Sequence, residues 1–133
     1  MKKTKVVIID DEHDAIASIS LIINEFCPNL QIVGTANIID TAWDVIKKTE
    51  PDIVFLDIDM PRGSGFDLLE RFPIRKFDVI LITAYNKYEK KAASYGVFAY
   101  LYKPIDIETL TLSVKKIEQV REEEPTRHFK LIL

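Results

Sequence analysis

The chain has 133 residues, of which 47% are hydrophobic and 29% charged, and its formal net charge is −3. That length supplies one domain with a real core and is too short for two ordinary ones, and the charge offers no global attraction to nucleic acid or an anionic membrane. The single cysteine, Cys27, excludes an internal disulfide and a cysteine-built zinc site, and reads as a small core residue on an apolar helix face in a reducing compartment.

The basic start Met1-Lys2-Lys3-Thr4-Lys5 is followed by only four apolar residues before Asp10. That run is too short for a signal-peptide core or a membrane span, so the expected location is cytoplasmic. Val6 to Ile9 reads as a first strand ending at Asp10-Asp11. From Asp14 to Phe26, apolar residues fall at Ile16, Ile19, Ile22, Ile23 and Phe26, which is helical spacing. Pro28-Asn29 ends that helix, and Leu30 to Gly34 reads as a second strand. Ile38 to Thr49 is a second helix with Ile39, Ala42, Trp43 and Ile46 on one face and Asn37 as its cap.

After the breaker Pro51-Asp52 comes Ile53-Val54-Phe55-Leu56, a buried strand that runs directly into Asp57. Gly63-Ser64-Gly65 opens a short third helix carrying Phe66, Leu69 and Phe72. Val79 to Ile82 is a fourth strand ending at Thr83, and Lys87 to Tyr95 a polar fourth helix closed by Gly96. Phe98 to Tyr102 is a fifth strand ending at Lys103-Pro104. Asp106 caps a long amphipathic helix carrying Ile107, Leu110, Val114, Ile117 and Val120.

Five βα units with wholly apolar strands predict a parallel sheet covered on both faces. All strand C-termini then emerge on one edge, where open α/β folds place their chemistry. Asp10, Asp11, Asp57, Thr83 and Lys103 all follow strand ends and converge there. Several carboxylates on one rim repel one another unless something neutralises them. Magnesium prefers oxygen ligands and keeps several waters, so it needs only one or two carboxylates. Asp11 and Asp57 are the expected direct ligands, with Asp10 acting through water and the Asp59 backbone carbonyl adding an oxygen. Beside a metal, Asp57 can accept a phosphoryl group, because such transfer needs positioning and charge neutralisation above all. Lys103 supplies positive charge for phosphoryl oxygens and Thr83 a hydroxyl donor. Singly, an acidic pair after a strand is usually a helix cap, and a strand-end Thr or Lys a surface residue. The set of five argues otherwise.

These residues resemble the receiver (phospho-acceptor) domain of two-component response regulators. The resemblance covers about residues 4–122. It rests on Asp10-Asp11-Glu12, Asp57 with Met60-Pro61 and Gly65, Thr83-Ala84, and Lys103-Pro104. It implies a flavodoxin-like (βα)5 doubly wound parallel five-stranded sheet of order 2-1-3-4-5. It also implies that Asp57 takes its phosphoryl group from a phosphohistidine on a sensor histidine kinase, and that Lys103-Pro104 is cis. Thr83 would move toward the phosphate and Tyr100 would rotate inward, switching the face of the fourth helix, fifth strand and fifth helix. A plain packing role is the simpler reading of Tyr100. Kinase docking would fall near the first helix. Output, and a homodimer on phosphorylation, would use a face with Tyr95, Val97, Tyr100 and Tyr102. Asp59 and Tyr85 border the phosphoryl position and could tune dephosphorylation. His13 reads as an exposed first-turn residue, and Lys87, Lys90 and Lys91 as a solvated helix face.

Ser64-Gly65-Phe66-Asp67-Leu68-Leu69-Glu70 and Phe98 to Asp106 resemble receivers attached to LytTR-type DNA-binding domains. Residues 123–133 then form a linker or tail to an effector domain outside this chain, the only route to DNA. The apolar end around His128-Phe129-Lys130-Leu131-Ile132 shows no partner in the sequence, and the other reading of this tail is that it pairs with another chain. Two other readings stand beside this one. Asp57-x-Asp59 after a buried strand also resembles the nucleophile motif of haloacid-dehalogenase-type phosphatases, although those keep that strand near the N-terminus and bring their metal-binding acids later. The other is a receiver-like binding module that is never phosphorylated.

Overall fold

The computed structural model describes residues 2–125 and 129–130. Five parallel strands form the central sheet: β1 (Thr4–Ile9), β2 (Leu30–Ala36), β3 (Ile53–Asp57), β4 (Asp78–Thr83) and β5 (Ala99–Tyr102). Their order is β2-β1-β3-β4-β5, the flavodoxin-like arrangement. Helices α1 (His13–Phe26), α2 (Ile39–Thr49), α3 (Gly65–Glu70), α4 (Glu89–Ser94) and α5 (Ile107–Glu123) connect and cover them.

The continuous apolar strands are explained by two cores. Side chains alternate across a sheet, so Val7, Ile9, Val54, Leu56, Val79 and Leu81 pack with α2 and α3 on one face. Val6, Ile8, Ile53, Phe55, Ile80 and Ile82 pack with α1 and α5 on the other. Every strand residue from Val6 to Ile9 and from Ile53 to Leu56 is fully buried. No helix among the described residues is long and apolar enough to cross a membrane.

Several local expectations shift. Strand β2 runs on to Ala36, and α4 is shorter than expected at both ends. Ile38, not Asn37, is the N-cap residue of α2, and no side chain caps it. Phe26 and Ile107 have helical spacing but are 48% and 45% exposed. Cys27 is buried just past α1 and is not on the helix itself. Tyr95 belongs to the core, with its ring 4.8 Å from that of Phe66, so it is not part of a surface face. His13 is exposed in the first turn of α1. Lys87 sits over the Tyr85 and Tyr88 rings and Lys91 over Phe66. Asp106 caps α5 as its sequence suggests, accepting from the Thr109 amide at 2.7 Å.

At the far edge of the sheet, Arg121 in the last turn of α5 bonds Asp78 and Asp52, each at 3.0 Å. Glu123, expected in the linker, closes the same helix. The backbone of Phe129–Lys130 pairs antiparallel with Ile74–Arg75 of the same chain. His128 and residues 131–133 of the expected tail lie outside the described residues.

Candidate functional site at the sheet edge

Burial of β3 fixes the position of Asp57, which is 2% exposed. Beyond it the chain turns through a two-residue pairing of Asp59–Met60 with Gly63–Ser64. The start of α3 returns tightly against this point: the Gly65 amide donates to the Ile58 carbonyl at 2.8 Å. A Cβ at Gly65 would stand 2.7 Å from the Asp57 carbonyl oxygen and 3.0 Å from Leu56 Cγ. Glycine is required there for close approach.

Asp10, at the end of β1, is fully buried. Its Oδ1 accepts from the Glu12 amide at 2.9 Å, and its Oδ2 faces Lys103 Nζ at 3.0 Å. The exposed Asp11 stands beside it, and one carboxylate oxygen each from Asp10, Asp11 and Glu12 lie within 4.8 Å of one another. Thr83 ends β4 and is fully buried. Its carbonyl accepts from the Lys103 amide at 2.8 Å, locking the ends of β4 and β5 together. The Lys103-Pro104 bond is cis. Lys103 Nζ lies 2.8 Å from Glu12 and 3.3 Å from Asp57 as well as 3.0 Å from Asp10. A cleft of about 180 Å³ opens here, lined by Asp11, Glu12, Asp57, Asp59, Ala84, Tyr85 and Lys103.

The electrostatics follow from burial and crowding. Burial first, and then the charge of Asp10, push the Asp57 carboxyl up to about 7, with Lys103 opposing. One ammonium shared among three carboxylates neutralises only part of the negative charge around Asp57. Burial acts to lower the Lys103 pKa, but Glu12, Asp10 and Asp57 together hold it above the ordinary lysine value. Lys103 in turn lowers the pKa of exposed Glu12, chiefly through their hydrogen bond.

All five rim residues therefore converge. Sequence reasoning gave no role to Glu12, the nearest carboxylate to Lys103, although it completes the acidic triplet. It also missed the network outside Thr83. The Thr83 hydroxyl donates to Asp59 Oδ2 at 3.3 Å, and the Tyr88 hydroxyl donates to Asp59 Oδ1 at 3.4 Å. The Tyr85 amide donates to Thr83 Oγ1 at 3.2 Å, and the Tyr100 hydroxyl to the Tyr85 carbonyl at 2.7 Å. Burial raises the Tyr100 pKa, the carboxylates of Glu89 and Asp59 add to it, and the neighbouring Tyr88 backbone and Thr83 side chain oppose.

The donor set is all oxygen, crowded and partly buried, which fits a hard divalent cation of the magnesium type.

Comparison with known proteins agrees with this geometry. A family model described as the response regulator receiver domain matches residues 6–115. Sensory transduction protein LytT of Bacillus subtilis is 31% identical over 118 residues, covering 87% of this chain and 48% of that protein. Transcriptional regulatory protein BtsR of Escherichia coli is 33% identical over 118 residues, covering 88% of this chain and 49% of BtsR. The chain spans about half the length of the curated relatives it matches. Among solved structures, the REC domain of AraT, a response regulator from Geobacillus stearothermophilus, superposes with a TM-score of 0.82 at 31% identity. That match covers 94% of this chain and 99% of the AraT domain. By sheet order, by the residues gathered at its edge and by these matches, the chain belongs to the response regulator receiver domain family, whose members are non-enzymatic phospho-acceptors in two-component signalling.

Proposed function

We propose that this receiver accepts a phosphoryl group on Asp57 from a sensor histidine kinase and relays that event to an attached effector. The observation that carries the reading is Lys103 Nζ, held 3.3 Å from Asp57 at the joint end of β4 and β5. An Asp57 oxygen attacks phosphorus, the bond from phosphorus to the donor imidazole breaks, and the imidazole leaves with that electron pair. Lys103 stays close enough to neutralise the transferred oxygens, and Thr83 donates its hydroxyl to one of them. Asp11, Asp57 and the Asp59 carbonyl would hold magnesium directly and Asp10 through water. When bound, the ion supplies charge neutralisation for the phosphoryl oxygens. The cis Lys103-Pro104 turn belongs to the same constellation.

Thr83 and Tyr100 are the proposed switch, biasing the face of α4, β5 and α5 between two populations. The likeness to LytT and BtsR supports a transcriptional effector of LytTR type, which would carry any DNA contact. On this reading residues 4–122 are the receiver, the following segment leads to the effector, and the protein works in the cytoplasm. The non-enzymatic family speaks against the phosphatase alternative.

The test is acetyl phosphate with magnesium, read by intact mass. Gain of one phosphoryl group, lost in Asp57→Asn and in the presence of a chelator, is the expected result. No gain in the wild type would favour an unphosphorylated binding module.

A further inference from the structure

The Asp59 carboxylate has a position of its own in the network. It stands two residues past Asp57 and is exposed, yet both of its oxygens are engaged. Oδ2 receives the Thr83 hydroxyl at 3.3 Å, and Oδ1 receives the Tyr88 hydroxyl at 3.4 Å. Tyr88 is the N-cap residue of α4 and offers no side-chain cap to the helix. Its half-buried ring packs 6.0 Å from that of Phe66, with Lys87 Nζ 5.1 Å away on the ring. One carboxylate thus ties the end of β4 to the beginning of α4.

A hydroxyl has one proton to give. If Thr83 donates to a phosphoryl oxygen on Asp57, it can no longer donate to Asp59. A phosphoryl group also brings negative charge beside Asp59, which repels that carboxylate. Both effects act against the pair of contacts that Asp59 makes.

We propose that Asp59 is a positioning residue: its carboxylate holds Thr83 and Tyr88 together, and a phosphoryl group on Asp57 takes the Thr83 donor from it and so releases the first turn of α4. This rests on the phospho-acceptor reading and adds to it a route through Tyr88 that bypasses Tyr100. Each of the two contacts is long and individually modest. The switch they bias therefore needs only a small free-energy difference between its two states.

The experiment is amide NMR on the whole chain, free and with magnesium and beryllofluoride, in the wild type, Tyr88→Phe, Asp59→Asn and the double variant. Tyr88→Phe removes one hydroxyl, changes no charge and leaves the Asp57 cleft intact. In the free protein it is expected to move the Glu89 and Lys90 resonances in the direction that beryllofluoride moves them in the wild type. It should also cut the remaining beryllofluoride response at those two residues by about twofold or more, while the response at Leu101 is kept. Asp59→Asn should shift the free-state resonances in the same direction, and the double variant should add nothing further. The proposal is overturned if Tyr88→Phe keeps the full wild-type response at Glu89 and Lys90, or if the two single changes add. If beryllofluoride moves nothing in the wild type, the phospho-acceptor reading itself fails and takes this route with it.

Discussion

Asp57 is costly to the folded state before it is useful. Its carboxyl is raised from 3.8 to about 7, by burial first and then by Asp10. Between those two values the folded chain keeps a proton that the unfolded chain has released. Stability therefore falls as pH rises through that window, the reverse of an ordinary ion-paired aspartate. Asp57→Asn removes the ionisation. In magnesium-free urea unfolding, its gain in stability over the wild type is expected to grow from near zero at about pH 4 to on the order of 2–4 kcal/mol at about pH 8. An equal gain at both pH values would mean that Asp57 ionises normally in the fold. The same proton must leave when a cation binds, so magnesium affinity should rise with pH up to about 7. Calorimetry in two buffers of different ionisation enthalpy would read the released proton directly.

The elements that frame Asp57 are held at both edges of the sheet. At the near edge, α3 starts against β3 only because residue 65 has no Cβ. Gly65→Ala must push the helix start or the Asp57 carbonyl aside. It is expected to cost about 1–3 kcal/mol in denaturant unfolding and to weaken beryllofluoride binding, although residue 65 presents no side chain to the cleft. A fully stable Gly65→Ala with unchanged binding would show that α3 retreats freely. At the far edge, Arg121→Ala removes charge-assisted bonds to Asp78 and Asp52. It should cost about 1.5–3 kcal/mol while leaving beryllofluoride binding intact, a separation that equal losses in both measurements would contradict. These two edges were not equally legible. The strands could be read because a parallel sheet buried on both faces needs unbroken apolar runs. The rim residues could be read because parallel strands share one C-terminal edge. Periodicity groups residues by face but does not say what covers the face, which is why the exposure of Phe26 and Ile107 could not be read. Tyr95 is placed on the output face by resemblance alone, and its burial against Phe66 depends on packing specific to this chain. Arg121 meets partners 43 and 69 residues away, and no local pattern announces them. The Asp59–Tyr88 contact escaped for the same reason, since it joins a turn to a helix start across 29 residues.

At the scale of the whole molecule, the prediction to test is that phosphorylation in the acidic cleft controls pairing with a second copy of the chain. The face of α4, β5 and α5 lies one strand away from the cleft and carries Tyr102, 42% exposed, next to Lys103. Tyr102 packs beside Tyr100 at 5.3 Å and hydrogen bonds Glu89 of α4, so strand and helix meet at its ring. A two-fold symmetric dimer would present this patch twice. A stable interface buries about 1,000 Å² or more in total, so small changes in the position of α4 decide whether the two copies fit. A tenfold change in dimer affinity needs only about 1.4 kcal/mol, within reach of a switch made of a few hydrogen bonds. Sedimentation velocity is therefore expected to show mainly monomer in the free chain and a dimer with magnesium and beryllofluoride. Asp57→Asn should stay monomeric under both conditions. Tyr102→Ala should bind beryllofluoride yet dimerise about tenfold more weakly, an effect of about 1.4 kcal/mol. A dimer that forms equally without beryllofluoride, or one indifferent to Tyr102, would break the link between the cleft and this face and leave Asp57 without a dimer to control.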